Sequence, residues 1–141
     1  MPKIAVLTCP SPHAWIVINA VVAKFGPVDV ITEKRVARSE LIRTRARRQG
    51  YVNVLGQIGF AMLQKLLEPL RRKRIAEIIR DMDLNPEPDP RCQIYDVGSV
   101  NSMACRAALS MLKPDVVLVI GTRIIGRETL AAITVPLINS H

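Results

Sequence analysis

Two residues that follow an aliphatic run carry the most pointed chemistry in this chain, Asn139 and His141 in the stretch Pro136-Leu137-Ile138-Asn139-Ser140-His141. In an extended segment residues i and i+2 point to the same side, so the two can face one reacting centre. A side-chain amide at a strand end can donate to an oxyanion. An imidazole beside it can move a proton or, when protonated, add positive charge. Alone, such a pair is more often a polar exit from a buried strand than a catalytic device. A second candidate is Cys9-Pro10-Ser11-Pro12-His13. Ser11 suits a helix N-cap and Pro12 the first helical position, where its missing N–H costs nothing. His13 then lies in the first turn, among N–H groups that can hold an anion. The third candidate is charge. Between Lys34 and Arg80 there are 13 Lys or Arg against three Glu, so the surplus behind the net charge of +8 sits in one segment. Its densest parts are Arg43, Arg45, Arg47 and Arg48, and Arg71-Arg72-Lys73-Arg74. Such a segment can meet phosphate or nucleic acid, or present a solvated helical face.

The elements that must position these residues alternate. Lys3–Thr8 is a strand, a helix runs to about Phe25 before Gly26-Pro27, and Val28–Thr32 is a second strand. Glu33–Gln49 reads as a basic helix. Val54–Leu67 carries a helical apolar stripe, Pro69 is expected to break or kink it, and Arg71–Leu84 resumes with Ile75, Ile78, Ile79 and Met82 on one face. Asn85–Pro90, with proline at every second position, is an extended loop. Cys92–Val97 is a third strand, and a helix follows from about Ser102 to Leu112. Val116–Ile120, the most apolar run, reads as a central strand, Arg127–Ile133 as a short helix and Pro136–Asn139 as a fifth strand. The order β-α-β, helical insertion at about 34–84, then β-α-β-α-β predicts an α/β fold. Its sheet is open, mostly parallel and doubly wound, of Rossmann-like type. Ligands of such sheets bind outside the carboxyl ends of the strands. The loops to inspect are therefore 9–13, 98–102, 121–125 and 139–141.

Composition narrows the classes. At 141 residues the chain amounts to one domain or part of one, and its apolar fraction of 49% is enough to fill a core. No uninterrupted apolar run reaches the roughly 18 residues of a membrane span. The N-terminus lacks the pattern of a secretory signal, so the expected location is cytoplasmic. Cys9, Cys92 and Cys105 are far apart and form no CxxC, so neither a zinc site nor a disulfide framework is suggested. Neither GxGxxG nor GxxxxGK[ST] is present.

One further order of residues is informative. Lys113-Pro114-Asp115, the aliphatic strand 116–120, the loop Gly121-Thr122-Arg123-Ile124-Ile125, a short helix, Pro136 and a strand ending Asn139-Ser140-His141 follow one another. This order, together with Gly98–Ser102 ahead of the preceding helix, resembles the folate-dependent formyltransferase family. That family includes glycinamide ribonucleotide, methionyl-tRNA and sugar N-formyltransferases. The resemblance covers about Gly98 to His141, a third of the chain, and the insertion at 34–84 is not a hallmark of the better-known members. It implies a formyltransferase-type fold and transfer of a formyl group from 10-formyltetrahydrofolate to an amine, without a metal. Asn139 and His141 would be two of three catalytic residues. Gly121, Thr122, Arg123, Ile124 and Ile125 would line the pterin pocket. Ser11, His13 and Asn101 are weaker substrate-binding candidates.

The family's third catalytic residue, an aspartate beyond the histidine, has no counterpart here. The chain is therefore expected to be a truncated single domain, inactive alone, whose open sheet edge leads it to pair with another chain, a second copy included, to aggregate, or to be only marginally stable. The implied acceptor is a small-molecule or nucleotide-linked amine. No membrane partner is expected. The rival reading is a non-catalytic basic α/β module that binds RNA or another anionic partner through Lys34–Arg80.

Overall fold

The computed structural model describes residues 1–34 and 51–140, with the backbone alone over 51–59. Five strands, β1 (Ile4–Thr8), β2 (Asp29–Thr32), β3 (Gln93–Asp96), β4 (Val116–Ile120) and β5 (Leu137–Ser140), form one sheet in the order β3-β2-β1-β4-β5. Every pairing is parallel. β1 lies at the centre and is buried along its whole length, because it has a strand on each side and a helix over each face. β4, expected as a central strand, is interior but one place off centre, and β5 covers its outer side.

Alternate residues of the strands feed two cores. Ile4, Val6, Val30 and Ile120 pack against α1 (Pro12–Phe25) through Ala14, Trp15, Ile18 and Val22. Ala5, Leu7, Ile31, Val117 and Val119 pack against α3 (Met103–Leu112) through Cys105, Leu109 and Leu112. The centre of the sheet is therefore covered on both faces, as the aliphatic character of β1 and β4 requires, whereas the edge strands β3 and β5 are largely exposed. The helix α4 (Arg127–Ala132) leads into β5. Local chemistry sets the ends of these helices. Ser11 caps α1 by accepting the Ala14 N–H at 3.2 Å, and Gly26, at φ 82°, ends it. Ser102 caps α3 in the same way through the Cys105 N–H.

The motif Lys113-Pro114-Asp115 has a structural use at the amino edge of the sheet. Lys113 takes a left-handed conformation, φ 47°, and closes α3 with its N–H on the Leu109 carbonyl. Pro114 prevents the helix from continuing. Asp115 accepts the Lys3 N–H on its carboxylate at 2.7 Å and donates its own N–H to the Lys3 carbonyl at 2.8 Å, which registers the start of β4 on β1.

The chain divides into two compact units, one of residues 1–34 with 85–141 and one of 35–84. In the second, the described residues form one long helix, α2 (Tyr51–Asp81), which runs through Pro69. The expected break there does not occur. A single proline removes one backbone hydrogen bond, and the helical turns on both sides hold the segment in register. Residues Glu33 and Lys34, expected to open a basic helix, are not helical. The remainder of that expected helix, 35–49, lies outside the described residues.

The proline-rich loop before β3 is tied down twice. Asn19 donates to the carbonyls of Asn85 and Glu87, both at 2.8 Å. Asp89 accepts from the Arg91 guanidinium and from the Arg91 N–H, which hold its pKa at about 2. The carboxyl is more acidic folded than unfolded. Its contribution to stability is therefore complete above the ordinary carboxylate range near pH 4 and is lost as pH falls towards 2. A carboxyl carbon titration should find Asp89 ionised at pH 3, and Arg91→Ala should return it towards the ordinary value. In the core, Leu7→Ala should cost about 2–5 kcal/mol in urea unfolding, since Leu7 is wholly buried in the central strand.

Candidate functional site at the carboxyl edge of the sheet

In a doubly wound sheet the crevice opens where the strand order reverses, here between β1 and β4. The carboxyl ends of β1, β4 and β5 lie side by side, with Thr8 in register with Ile120 and Ile120 with Ser140. The Thr8 hydroxyl donates to the Ile120 carbonyl at 2.9 Å and locks the first pair. The loop 121–126 leaves β4 at this point through Gly121, whose φ of 62° suits a residue without a Cβ.

The loop is fixed from two directions. Glu33, directly after β2, is buried and receives three donors. Its carboxylate accepts the Arg123 N–H at 2.8 Å, the Arg123 Nε at 2.7 Å and the Val100 N–H at 3.2 Å. Arg123 also donates from its guanidinium to the Lys34 carbonyl at 3.1 Å. From the other side, Asn101 presents its amide to both polar groups of the next stretch. Its Nδ2 donates to the Ile124 carbonyl at 2.9 Å, and its Oδ1 accepts the Gly126 N–H at 2.6 Å. A Cβ on Gly126 would stand 3.3 Å from that Oδ1, so glycine lets the amide come close. Beneath, the buried Thr129 hydroxyl donates to the Val100 carbonyl at 3.0 Å.

These bonds hold two side chains in contrasting positions. Ile125 packs against the second core, whereas Ile124 is 92% exposed on a loop whose backbone is engaged on both sides of it. Thr122 turns its hydroxyl onto the Arg123 carbonyl at 3.0 Å. Of the residues singled out in the sequence, Gly121, Thr122, Ile124 and Ile125 therefore stand together at the carboxyl edge. Arg123 is with them, but its N–H and Nε are committed to Glu33. Asn101 is adjacent and acts on the loop by hydrogen bonding. Ser11 lies at the end of β1 as a helix cap, and His13 is exposed in the first turn of α1. Asn139 pairs in register with Val119 on β5 and is exposed. His141 lies outside the described residues.

Glu33 was not singled out by the sequence, where it introduces a run of basic residues and reads as part of a solvated helix. A detectable signal was its place as the first residue after a buried β2, at the edge where loops converge. Cys92 and Cys105 do not join the site: burial raises the first thiol and pushes the second up to about 11. Among the described residues no group of His, Cys, Asp and Glu could hold a metal ion. A groove of about 330 Å³ bordered by Leu109, Pro114, Ile133 and Val135 lies towards the amino end of β4, away from these loops. Among the described residues that border it, Lys113 is the one ionisable group.

Glu33→Gln sets an amide NH2 among donors that need acceptors. It should cost about 2–3 kcal/mol in denaturant unfolding, most of it from stranded backbone N–H groups, since Arg123 is partly exposed. Asn101→Ala should cost less, about 1 kcal/mol, and should raise amide exchange at Gly126 well above that of the β4 amides. Comparison with family models, with curated proteins and with solved structures finds no match for this chain.

Proposed function

We propose that this chain contributes the folate-binding part of a formyltransferase-like site, at the carboxyl edge formed by β1, β4 and β5. The observation that carries the reading is the loop 121–126. Its backbone is held by Glu33 and Asn101 while it presents Ile124 to solvent at the strand-order reversal. A rigid apolar side chain over a crevice suits one face of a flat heterocycle such as a pterin, and exposure of that side chain is otherwise unfavourable. Ile125 anchors the same loop to the core.

When bound, 10-formyltetrahydrofolate would supply a formyl group on N10 for transfer to an acceptor amine, with the N10–carbon bond broken and the amine proton passed to N10. Negative charge developing on the formyl oxygen would call for a hydrogen-bond donor. Asn139, one strand across from Val119, offers an amide donor at that edge. His141, two residues on in the sequence, would handle the proton. The rival reading, an RNA-binding module, is supported by the cation surplus at 34–80. Among the residues of that segment Tyr51 and Phe60 are the aromatics, few for stacking bases.

Isothermal titration with 5-formyltetrahydrofolate separates the two. Binding is expected, and Ile124→Asp should weaken it by about tenfold or more through loss of apolar cover. Gly121→Val should weaken it too, because valine resists a φ of 62°. A folded chain that does not bind the folate, but binds an RNA oligonucleotide in a salt-sensitive way, would reverse the choice.

A further inference from the structure

We propose that the face of α2 between Phe60 and Leu70 docks on an anionic lipid surface, with the helix lying in the interface and not crossing it. The inference is independent of the folate reading. At 3.6 residues per turn, Phe60, Met62, Leu63, Leu66, Leu67 and Leu70 fall within an arc of roughly 160°. All six are exposed, Leu66 by 76% and Leu70 by 67%. Gln64, Lys65 and Glu68 occupy the opposite side. Exposure of this much contiguous aliphatic surface marks an interaction face.

Charge identifies the occupant. The apolar segment is followed immediately by Arg71-Arg72-Lys73-Arg74, one full turn of cations that rings the helix at the border of the patch. Arg72 meets Glu68 at 2.6 Å and Arg74 meets Glu77 at 3.3 Å, both as exposed pairs. Pairs of that kind are weak, so phosphate headgroups can compete for the guanidinium groups. Long cationic side chains also suit a boundary, with their stems along apolar surface and their heads in the polar layer. Six further arginines lie between residues 35 and 48 in the sequence.

Other occupants fit less well. RNA would satisfy the cations but would leave the leucines in water, and Phe60 is the single aromatic in the patch. A second copy of the helix in parallel would set the Arg71–Arg74 turn against its own image. A spanning helix is excluded among the described residues, where no helix is long and apolar enough to cross a membrane.

Flotation of the full chain with vesicles tests the proposal. The chain should rise with vesicles of equal parts phosphatidylcholine and phosphatidylserine, should not rise with phosphatidylcholine alone, and should be released by salt. Replacing Arg71, Arg72, Lys73 and Arg74 by Gln should lower partition by about fivefold per charge removed. The pair Leu66→Gln and Leu70→Gln should lower it by about tenfold or more. Both residues are exposed, so circular dichroism should be unchanged. The proposal fails if wild-type chain does not float with anionic vesicles, whatever the variants do. It also fails if the leucine changes leave flotation intact. RNA binding that survives the leucine changes, without flotation, would assign the cations to nucleic acid instead. A dimer lost with those changes, again without flotation, would assign the face to a second copy.

Discussion

A carboxylate taken out of water has to be surrounded by donors, and at the carboxyl edge of this sheet that requirement fixes where three loops go. Glu33 leaves β2 pointing into the protein and draws in the N–H of Val100 after β3 and the N–H and Nε of Arg123 after β4. Its own N–H is held by the Thr8 carbonyl at the end of β1 at 2.9 Å. Four consecutive positions in the sheet, β3, β2, β1 and β4, are thus joined above their last residues by one side chain and its backbone. Without it, the turn of 121–126 would keep the Asn101 bonds and the packing of Ile125 but lose its tie to β2. The polar cluster serves geometry more than net stability, since replacing buried ions by apolar groups is often harmless to stability.

The same edge contains a second, milder constraint. The Asn101 amide reads a carbonyl and an N–H two residues apart, a pattern that a side-chain amide matches with two separate atoms and a carboxylate, which only accepts, does not. Together with Glu33 it leaves the segment from Arg123 to Gly126 few alternative conformations. The loop thereby holds an apolar tip, Ile124, 92% exposed, in a fixed place. Fixing it in place removes the entropy that a mobile loop would lose on binding, which is what a preorganised contact needs.

Much of this was legible in the chain, and the parts that were not have physical reasons. The five strands and the helices at 12–25, 103–112 and 127–132 followed from aliphatic runs, the Ser11 cap with Pro12, Gly26 and the Lys113-Pro114 stop, because those signals act within a few residues. The course of α2 through Pro69 was not, since a breaker's local cost competes with the cooperativity of a 31-residue helix. Glu33 was read with its basic neighbours because charge patterning is local, whereas its partners are 67 and 90 residues away. The loop 121–125 was identified from the order of residues around it. Which of its backbone groups would already be engaged could not be read from that order.

Lys113-Pro114-Asp115 and Asn139 illustrate how one run of residues can divide its work. The first three end α3 and start β4 at the amino edge, with Asp115 gripping Lys3 at the foot of β1. Asn139 lies at the opposite end, beside Val119 near the end of β4. Between them β4 is a five-residue strut whose two ends are each fastened to the β1 region, by Asp115 below and by Ile120 with Thr8 above. A shift of β4 by one residue would exchange its two faces and move Gly121 away from the edge. Residues that match a functional pattern can therefore be required first by register. The position of any chemistry at the carboxyl edge depends on a carboxylate fastened at the other end of the sheet.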